Sequence, residues 1–230
     1  MKPRLLLASA EVPGGGHLKL YERDGAFAIM LDNSELMNSR QGGSEEALAT
    51  LAWDRMPRGP WPKLLIGGLG MGFTLRAALA VMPAETEIVV AELVPEVVYW
   101  ARGPMAALFA GSLDDPRVTT VLGDVADRIE QQRGRWDAIL LDVDNGPDGL
   151  SRPENNWLYS RKGLLAIHDA LRPGGVLALW SSAPDGPFTS RLKRAGFAVE
   201  EKVVRANGDR GGSRHVIWLA TPVERPRRGA

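Results

Sequence analysis

The 230-residue chain contains no cysteine and only three histidines. The absence of cysteine excludes disulfides, thiolate catalysis and zinc sites built on thiolates. His17, His168 and His215 have no partner at metal-binding spacing, so we expect no histidine-based metal site. Lys and Arg total 28, as do Asp and Glu, and this zero net charge argues against binding of nucleic acid through a basic excess.

Long apolar runs are also missing from the chain. The longest have about six to eight residues, far below the roughly 20 that a membrane-spanning helix requires. Leu5–Ala10 follows Lys2 and Arg4 as the apolar part of a secretory signal would, but it is short and meets Glu11. We therefore interpret it as a strand and expect a cytoplasmic protein with no membrane partner.

Residues 1–57 predict a small antiparallel β unit followed by a helix. Ser44 is typical of a helix N-cap, and the helix is expected to end near Arg55, before a cluster of prolines. Turn-forming residues separate the predicted strands. These strands are Leu5–Ala10, Leu18–Glu22 and Ala26–Leu31.

Residues 58–222 alternate between strand and helix patterns. This alternation is typical of an α/β fold with a doubly wound, mostly parallel sheet, and predicts a Rossmann-like nucleoside-binding catalytic domain. The last two strands have no helix between them, so we expect an antiparallel hairpin at one edge. Residues 223–230 are expected to form a flexible tail. The predicted strands are Leu64–Gly67, Ile88–Leu93, Val118–Leu122, Ala138–Asp142, Val176–Trp180, Val199–Arg205 and His215–Ala220, and the predicted helices are Phe73–Val81, Glu96–Phe109, Val125–Arg133, Arg161–Leu171 and Pro187–Ala195.

Gly68, Gly70 and Gly72 form a G-x-G-x-G turn between the first of these strands and a helix. Such a turn lets a ligand approach the backbone at a helix N-terminus. The dinucleotide pattern G-x-G-x-x-G is not met, because its third glycine position falls on Phe73 or Leu75. A nicotinamide-dependent oxidoreductase is therefore disfavoured. A tight turn without a ligand is the alternative.

Acidic residues follow the next two strands. Glu92 ends one of them, where a carboxylate can accept hydrogen bonds from both hydroxyls of a ribose. Asp124 follows the other, where it can accept from the exocyclic amine of adenine. The alternatives are a solvated acid for Glu92 and a helix N-cap for Asp124. With the glycine turn, the two acids predict a site for an adenosine-type nucleoside.

Five segments carry a family resemblance: LLIGGLGMGFTLRAAL (64–79), VVAELVPEVV (89–98), DDPRVTTVLGDV (114–125), WDAILLDVD (136–144) and LRPGGVLALW (171–180). Through them, the region from Leu31 to Leu179 resembles the spermidine synthase family, within the Rossmann-like S-adenosylmethionine-dependent methyltransferases. The resemblance implies a class I methyltransferase-like fold with a short leading β domain, and suggests a homodimer. It also implies S-adenosylmethionine or its decarboxylated form as the cosubstrate.

Roles for individual residues follow from the same resemblance. It implies that the three glycines contact the aminoacyl-sulfonium part of the nucleoside, that Glu92 holds the ribose, and that Asp124 holds the adenine. It places Asp142 at the position of the catalytic acid, where a carboxylate can orient an amine and accept its proton. A loop or helix cap is the alternative for Asp142.

The chain departs from the family pattern at the acceptor end. The glycine turn carries no acid, the family's second acid falls on Asn145 beside Asp144, and a family glutamine aligns with Leu36. A Tyr-His-Glu motif aligns with Ser44, Glu45 and Glu46. Without an acid in the turn, the carboxylate of intact S-adenosylmethionine meets less repulsion, which slightly favours methyl transfer over aminopropyl transfer.

The segment after Asp142 is expected to lie over the acceptor. Asp144 and Asn145 are predicted to bind the acceptor, and Trp157 and Tyr159 to form walls of its pocket. A proline-broken surface loop is the alternative.

The sequence as a whole predicts a transferase that alkylates a small amine-like acceptor, with no metal and no nucleic-acid partner. Methyl transfer is the first expectation, and aminopropyl transfer of the spermidine synthase type, in polyamine biosynthesis, is the alternative. A non-catalytic nucleoside-binding protein stays open.

Overall fold

The N-terminal segment forms a four-stranded antiparallel sheet in the order of the chain. This computed structural model describes residues 3–143, 147 and 156–223. The first three strands confirm the predicted β unit, and the fourth was not predicted because its sequence, SELMN, has no clear alternation. The strands are β1 (Leu5–Glu11), β2 (His17–Arg23), β3 (Ala26–Leu31) and β4 (Ser34–Asn38).

The remaining strands form a seven-stranded sheet flanked by helices. The strands are β5 (Lys63–Gly67), β6 (Glu87–Glu92), β7 (Val118–Leu122), β8 (Trp136–Leu141), β9 (Leu171–Ser181), β10 (Phe197–Arg205) and β11 (Arg214–Pro222). The helices are α1 (Gly43–Arg55), α2 (Phe73–Val81), α3 (Pro95–Arg102), α4 (Ala106–Phe109), α5 (Val125–Glu130), α6 (Asn156–Tyr159), α7 (Arg161–Ala170) and α8 (Gly186–Arg194).

The strand order of the large sheet is β10-β11-β9-β8-β5-β6-β7. Strands β5 to β9 pair in parallel, whereas β11 pairs antiparallel with both β9 and β10. The predicted fold class and the antiparallel hairpin at one edge are therefore confirmed. From β5 the chain builds outward to β6 and β7, and then returns to β8 on the other side. This reversal between β5 and β8 is the point of an open α/β sheet at which ligands bind.

Two helix predictions need correction. The expected helix over 96–109 is two helices, because Gly103 leaves the helical conformation (φ −107°, ψ −109°) just before Pro104. Ser44 is not an N-cap, because the residue that precedes α1 is Gly42 and the helix start has no side-chain cap. The hydroxyl of Ser44 instead bonds to Glu45.

Two hydrophobic cores lie on the two faces of the large sheet, filled by alternating residues of the same strands. The first core runs from Leu20 and Ile29 of the small sheet through Leu48 of α1 to the large sheet. Helix α1 contacts α2 and β9. The domain boundary near residue 57 stays a prediction, although α1 packs on the large sheet. No helix within the described ranges is both long and apolar enough to cross a membrane.

Candidate active site

An inner cavity opens at the carboxyl ends of β5, β6, β7 and β8. The space between its walls, including its mouth and the solvent in it, is about 840 Å³. The small sheet and the segments beside it cover one side with apolar side chains. The strand ends on the other side contribute three carboxylates, those of Glu92, Asp124 and Asp142.

Glu92 is buried at the end of β6, with 7% of its surface exposed. One carboxylate oxygen accepts from the N–H of Leu69 at 2.9 Å, and the other accepts from the N–H of Val94 at 2.8 Å. Burial raises the pKa of the Glu92 carboxyl, and these backbone donors oppose the rise. Glu92 thus fastens the glycine turn to the end of β6 while still lining the cavity.

Asp124 begins α5 and lines the same cavity. Its Oδ1 accepts from the N–H of Ala126 at 2.8 Å, so the carboxylate is an N-cap. The two roles weighed for Asp124 are compatible, since a carboxylate has further acceptor capacity toward a ligand.

The three glycines of the turn lie in different surroundings. Gly68 and Gly70 line the inner cavity, whereas Gly72 does not. Gly72 begins α2 with φ +75°, and a Cβ there would lie 2.5 Å from the ring of Phe109, which is buried. Gly72 therefore serves the packing of the turn, because both its conformation and its surroundings exclude a side chain.

Asp142 follows β8 and faces an acid that the sequence did not single out for this site, Glu45. The hydroxyl of Thr74 lies 3.4 Å from Asp142 Oδ2 and 3.2 Å from the carbonyl oxygen of Glu45, and so stands between the two residues. Burial raises the pKa of Asp142 to about 7, and the negative charge of Glu45 adds to the rise. Burial also raises the pKa of Glu45, opposed by a hydrogen bond from Ser44. Because the two carboxyl groups interact, the charge of each one affects the titration of the other.

A middle cavity adjoins the inner one at Asp142. It encloses about 570 Å³ including its mouth, and both Asp142 and Glu45 line it. Its other walls are mainly apolar. They include Leu36, Met37, Met71, Phe73, Val143 and Trp180. The middle cavity can therefore hold a ligand with a charged head and an apolar stem.

An outer cavity continues from Glu45 and Trp180 toward solvent. Polar side chains line it, among them Glu35, Ser44 and His215. Strand β4 and the N-terminal end of α1 bring these groups to the site, together with His215 of β11. The signal for Glu45 in the sequence was its alignment with the Tyr-His-Glu motif, but only the packing of α1 shows that its side chain reaches Asp142.

Of the four residues predicted to contact the acceptor, the structure describes two. Asp144 and Asn145 lie outside the described residues. Tyr159 is buried in the second core, with its ring 5.6 Å from that of Phe188, and Trp157 packs partly against the same core. Neither of these two aromatic residues lines the inner, middle or outer cavity. Their prediction as pocket walls is corrected, because they belong to the core on the other face of the sheet.

Comparison with known families shows which family the chain belongs to. A family model described as S-adenosyl-L-methionine-dependent methyltransferase matches residues 91–211, which is more than half of the chain. The chain belongs to this methyltransferase family. The inner cavity of the chain lies at the carboxyl ends of the strands, where open α/β sheets bind their ligands.

Curated relatives match the chain over part of their own length. Putrescine N-methyltransferase 4 of Nicotiana tabacum is 39% identical over 126 residues, which are 53% of the chain and 31% of that protein. Polyamine aminopropyltransferase 2 of Pseudomonas aeruginosa is 33% identical over 139 residues, 57% of the chain and 37% of that protein. The chain thus spans about a third of the length of these relatives.

Solved structures confirm the fold. A spermidine synthase in complex with the transition state analogue AdoDATO superposes with a TM-score of 0.77 at 20% identity, covering 95% of this chain and 74% of the other. Spermidine synthase from Thermotoga maritima gives a TM-score of 0.74 at 19% identity, with coverages of 95% and 73%. At this identity the likeness is one of fold alone.

We expect Gly72→Ala to destabilise the protein more than Gly111→Ala. Both glycines have positive φ (+75° and +79°), which costs an alanine about 1–2 kcal/mol, but a Cβ at Gly111 meets nothing within 4 Å. The overlap with Phe109 should add about 1–3 kcal/mol for Gly72→Ala. Denaturant unfolding measures both losses, and equal losses would show that the ring of Phe109 does not restrict the turn.

Asp142→Asn should raise the melting temperature at pH 8. The folded pKa of about 7 lies above the unfolded value, so the contribution of Asp142 to stability is fully present in acid and is lost as pH rises through 7. The amide cannot lose a proton and escapes this loss. The gain should be on the order of 10 °C, since the pKa rises from 3.8 to about 7, each pKa unit is worth about 1.4 kcal/mol, and about 1 kcal/mol shifts the melting temperature by roughly 2–4 °C at this chain length.

Thermal unfolding from pH 4 to pH 8 measures this effect, with Asp54→Asn as the control because Asp54 is exposed. The advantage of Asp142→Asn should shrink toward pH 4. A difference from wild type that does not change with pH would contradict the assigned pKa.

Proposed function

We propose that the protein transfers an alkyl group, with a methyl group as the first candidate, from S-adenosylmethionine or its decarboxylated form to a small amine. The convergence of Glu92, Asp124 and Asp142 on one cavity at the switch point of the sheet carries this proposal. When bound, the donor supplies an electrophilic carbon on a positively charged sulfur. A cavity rich in carboxylates and open to bare backbone suits such a cation.

Glu92 and Asp124 are proposed to hold the nucleoside. Each oxygen of Glu92 accepts one backbone N–H and keeps a further lone pair for a ribose hydroxyl. Asp124 uses Oδ1 for its helix cap and keeps Oδ2 for the amine of adenine. Gly68 and Gly70 line the inner cavity with Asp142, and the aminoacyl-sulfonium part is proposed to lie against them.

Asp142 is the proposed base. An amine is largely protonated near neutral pH and has to lose a proton before its lone pair can react. A carboxyl with a pKa of about 7 changes charge in the same range, which suits it to accept that proton. Glu45 and Asp142 bind the cationic head of the acceptor, and the apolar walls of the middle cavity pack against its stem.

Amine acceptors are also what the relatives' names describe. The names putrescine N-methyltransferase and polyamine aminopropyltransferase correspond to the two transfers predicted from the sequence, of a methyl group and of an aminopropyl group. Both names support an amine as the acceptor. The absence of an acid in the glycine turn, 67–73, and the family match both favour methyl transfer. Aminopropyl transfer is favoured by one observation: among the described residues, the lining of the inner and middle cavities contains acids but no Lys or Arg. The decarboxylated donor, which is the more positive of the two, would gain from this lining.

Location and assembly stay predictions from the sequence. We propose a cytoplasmic protein on its composition, and a homodimer on the family resemblance. Asp144 and Asn145 stay candidates for contact with the acceptor.

Glu92→Gln should weaken binding of the donor nucleoside about 10- to 100-fold, because the ribose loses a charged acceptor. Isothermal titration calorimetry with S-adenosylmethionine and with its decarboxylated form measures this loss. Glu85→Gln is the matched control, since Glu85 is exposed beyond the other end of β6. Unchanged affinity in Glu92→Gln, with the fold intact by circular dichroism, would remove the proposed nucleoside site.

Incubation of the protein with either donor and a panel of small amines identifies the transferred group. We expect mass spectrometry to find a methylated amine formed with S-adenosylmethionine, and turnover to fall at least 100-fold in Asp142→Asn, since general-base catalysis contributes about 10²- to 10⁴-fold. An aminopropyl product, formed only with the decarboxylated donor, would reverse the order of the two readings. Binding without turnover would favour the non-catalytic alternative.

A further inference from the structure

Ser44, Glu45 and His215 form a chain of hydrogen bonds that ends at the proposed acceptor site. Ser44 Oγ lies 2.6 Å from Glu45 Oε2, and His215 Nδ1 lies 2.9 Å from Ser44 Oγ. Ser44 is fully buried, so these bonds satisfy its hydroxyl where water does not reach. The transfer as proposed above gives Ser44 and His215 no part.

Ser44 and His215 are 171 positions apart in the sequence, and backbone contacts hold the two segments that carry them together. The N–H of Gly43 donates to the carbonyl oxygen of Ala206 at 2.8 Å, and a Cβ on Gly43 would lie 2.3 Å from the nitrogen of Gly208. The N-terminal end of α1 is therefore pressed against the connection between β10 and β11. His215 is the second residue of β11, so this contact sets its distance to Ser44.

The numbers of donors and acceptors determine the direction of the chain. Ser44 has one O–H, and an ionised Glu45 can only accept. Ser44 therefore donates to Glu45, and His215 donates from Nδ1 to Ser44. Ser44 thus donates directly to the carboxylate of Glu45, and His215 supports it through Ser44. Hydrogen bonds to an ionised acceptor are about twice as strong as neutral ones.

The ring of His215 is oriented by Trp180. The two ring centroids lie 4.7 Å apart with an interplanar angle of 71°, an edge-to-face contact. Burial lowers the pKa of His215, so the ring is neutral near pH 7 and has one N–H to donate. The contact with Ser44 selects Nδ1 as the position of that proton.

We propose that His215 is a positioning residue that acts through Ser44 to hold Glu45 as an ionised carboxylate facing Asp142, where Glu45 binds the cationic head of the acceptor. The inference rests on the proposed function for the identity of that ligand, but the hydrogen-bond chain itself does not. It assigns different states to the two acids: Glu45 keeps the charge, and Asp142 exchanges the proton.

The charged groups around Glu45 show why it needs these donors. Asp142 faces it across the middle cavity, Glu46 follows it in α1, and Glu35 of β4 lines the outer cavity with it. Arg4 is 2.9 Å from Glu35 and pairs with that acid rather than with Glu45. The acids next to Glu45 favour its protonation, and the Ser44–His215 chain opposes them.

Two substitutions separate the donor role of His215 from its packing. His215→Phe keeps an aromatic ring against Trp180 but has no donor, whereas His215→Asn loses the ring but can place an amide N–H near the position of Nδ1. Carbon-13 NMR titration of the Glu45 side chain, assigned with Glu45→Gln, reads the effect without any ligand. We expect His215→Phe to move the titration of Glu45 to higher pH and His215→Asn to restore it toward wild type.

Turnover gives a second measurement of the same effect. His215→Phe should raise the acceptor KM about two- to tenfold, the worth of one hydrogen bond, while the Kd of the donor nucleoside stays unchanged. Ser44→Ala should act in the same direction and more strongly, because it removes the bond to Glu45 itself.

Each result decides one of the two questions. If His215→Phe leaves the titration of Glu45 unchanged, or if His215→Asn behaves like His215→Phe, the positioning role is wrong. If wild type binds neither donor nucleoside and alkylates no amine, the proposed function fails, and the titration of Glu45 still tests the role of His215. If the titration shifts but the acceptor KM does not, Glu45 does not bind the acceptor.

Discussion

A buried carboxylate at the end of β6 holds the central part of the site in place. Glu92 accepts from the backbone of the glycine turn on one side and from the start of the following segment on the other. An uncompensated charge at this depth would be costly, and the two N–H groups are what keep it stable there. The turn, the strand end and the floor of the inner cavity therefore depend on one side chain. Because Glu92 also lines the cavity, the group that stabilises the turn is the one proposed to bind the ribose.

The fold was largely predictable because its signals are local. Continuous apolar runs such as Ile139-Leu140-Leu141 mark strands covered on both faces, and the helices between them imply parallel pairing. The acids that end β6 and precede α5 were predictable for the same reason. In a parallel sheet the strand ends meet at one edge, so order along the chain already places Glu92, Asp124 and Asp142 together.

The acceptor side was less predictable because it depends on tertiary contacts. Glu45 looked like an acid in the first turn of a helix, and its meeting with Asp142 depends on where α1 packs. Helix α1 packs mainly on α2 and β9, and its first residue, Gly43, also lies against Gly208, far along the chain. The error at Tyr159 has a related cause. The residue follows a polar stretch, so it was assigned to the loop, although its ring packs against Phe188 in the second core. Neither contact leaves a periodic signal in the sequence.

The acids of the site differ in role because their surroundings differ. Glu92 has two backbone donors and stays fixed, whereas Glu45 is supplied by a chain of side-chain donors. Among the described residues, the side chain of Asp142 has one hydrogen-bond partner, the hydroxyl of Thr74, which also donates to a carbonyl oxygen, and burial next to another acid raises its pKa. Placing two carboxylates close together lowers stability unless a proton or a cation lies between them. A cationic amine that enters the middle cavity relieves this repulsion, and its proton then has an acceptor whose pKa the same repulsion has raised. In the proposed function, recognition of the acceptor and activation of its nitrogen thus share two physical causes, the burial of Asp142 and its closeness to Glu45.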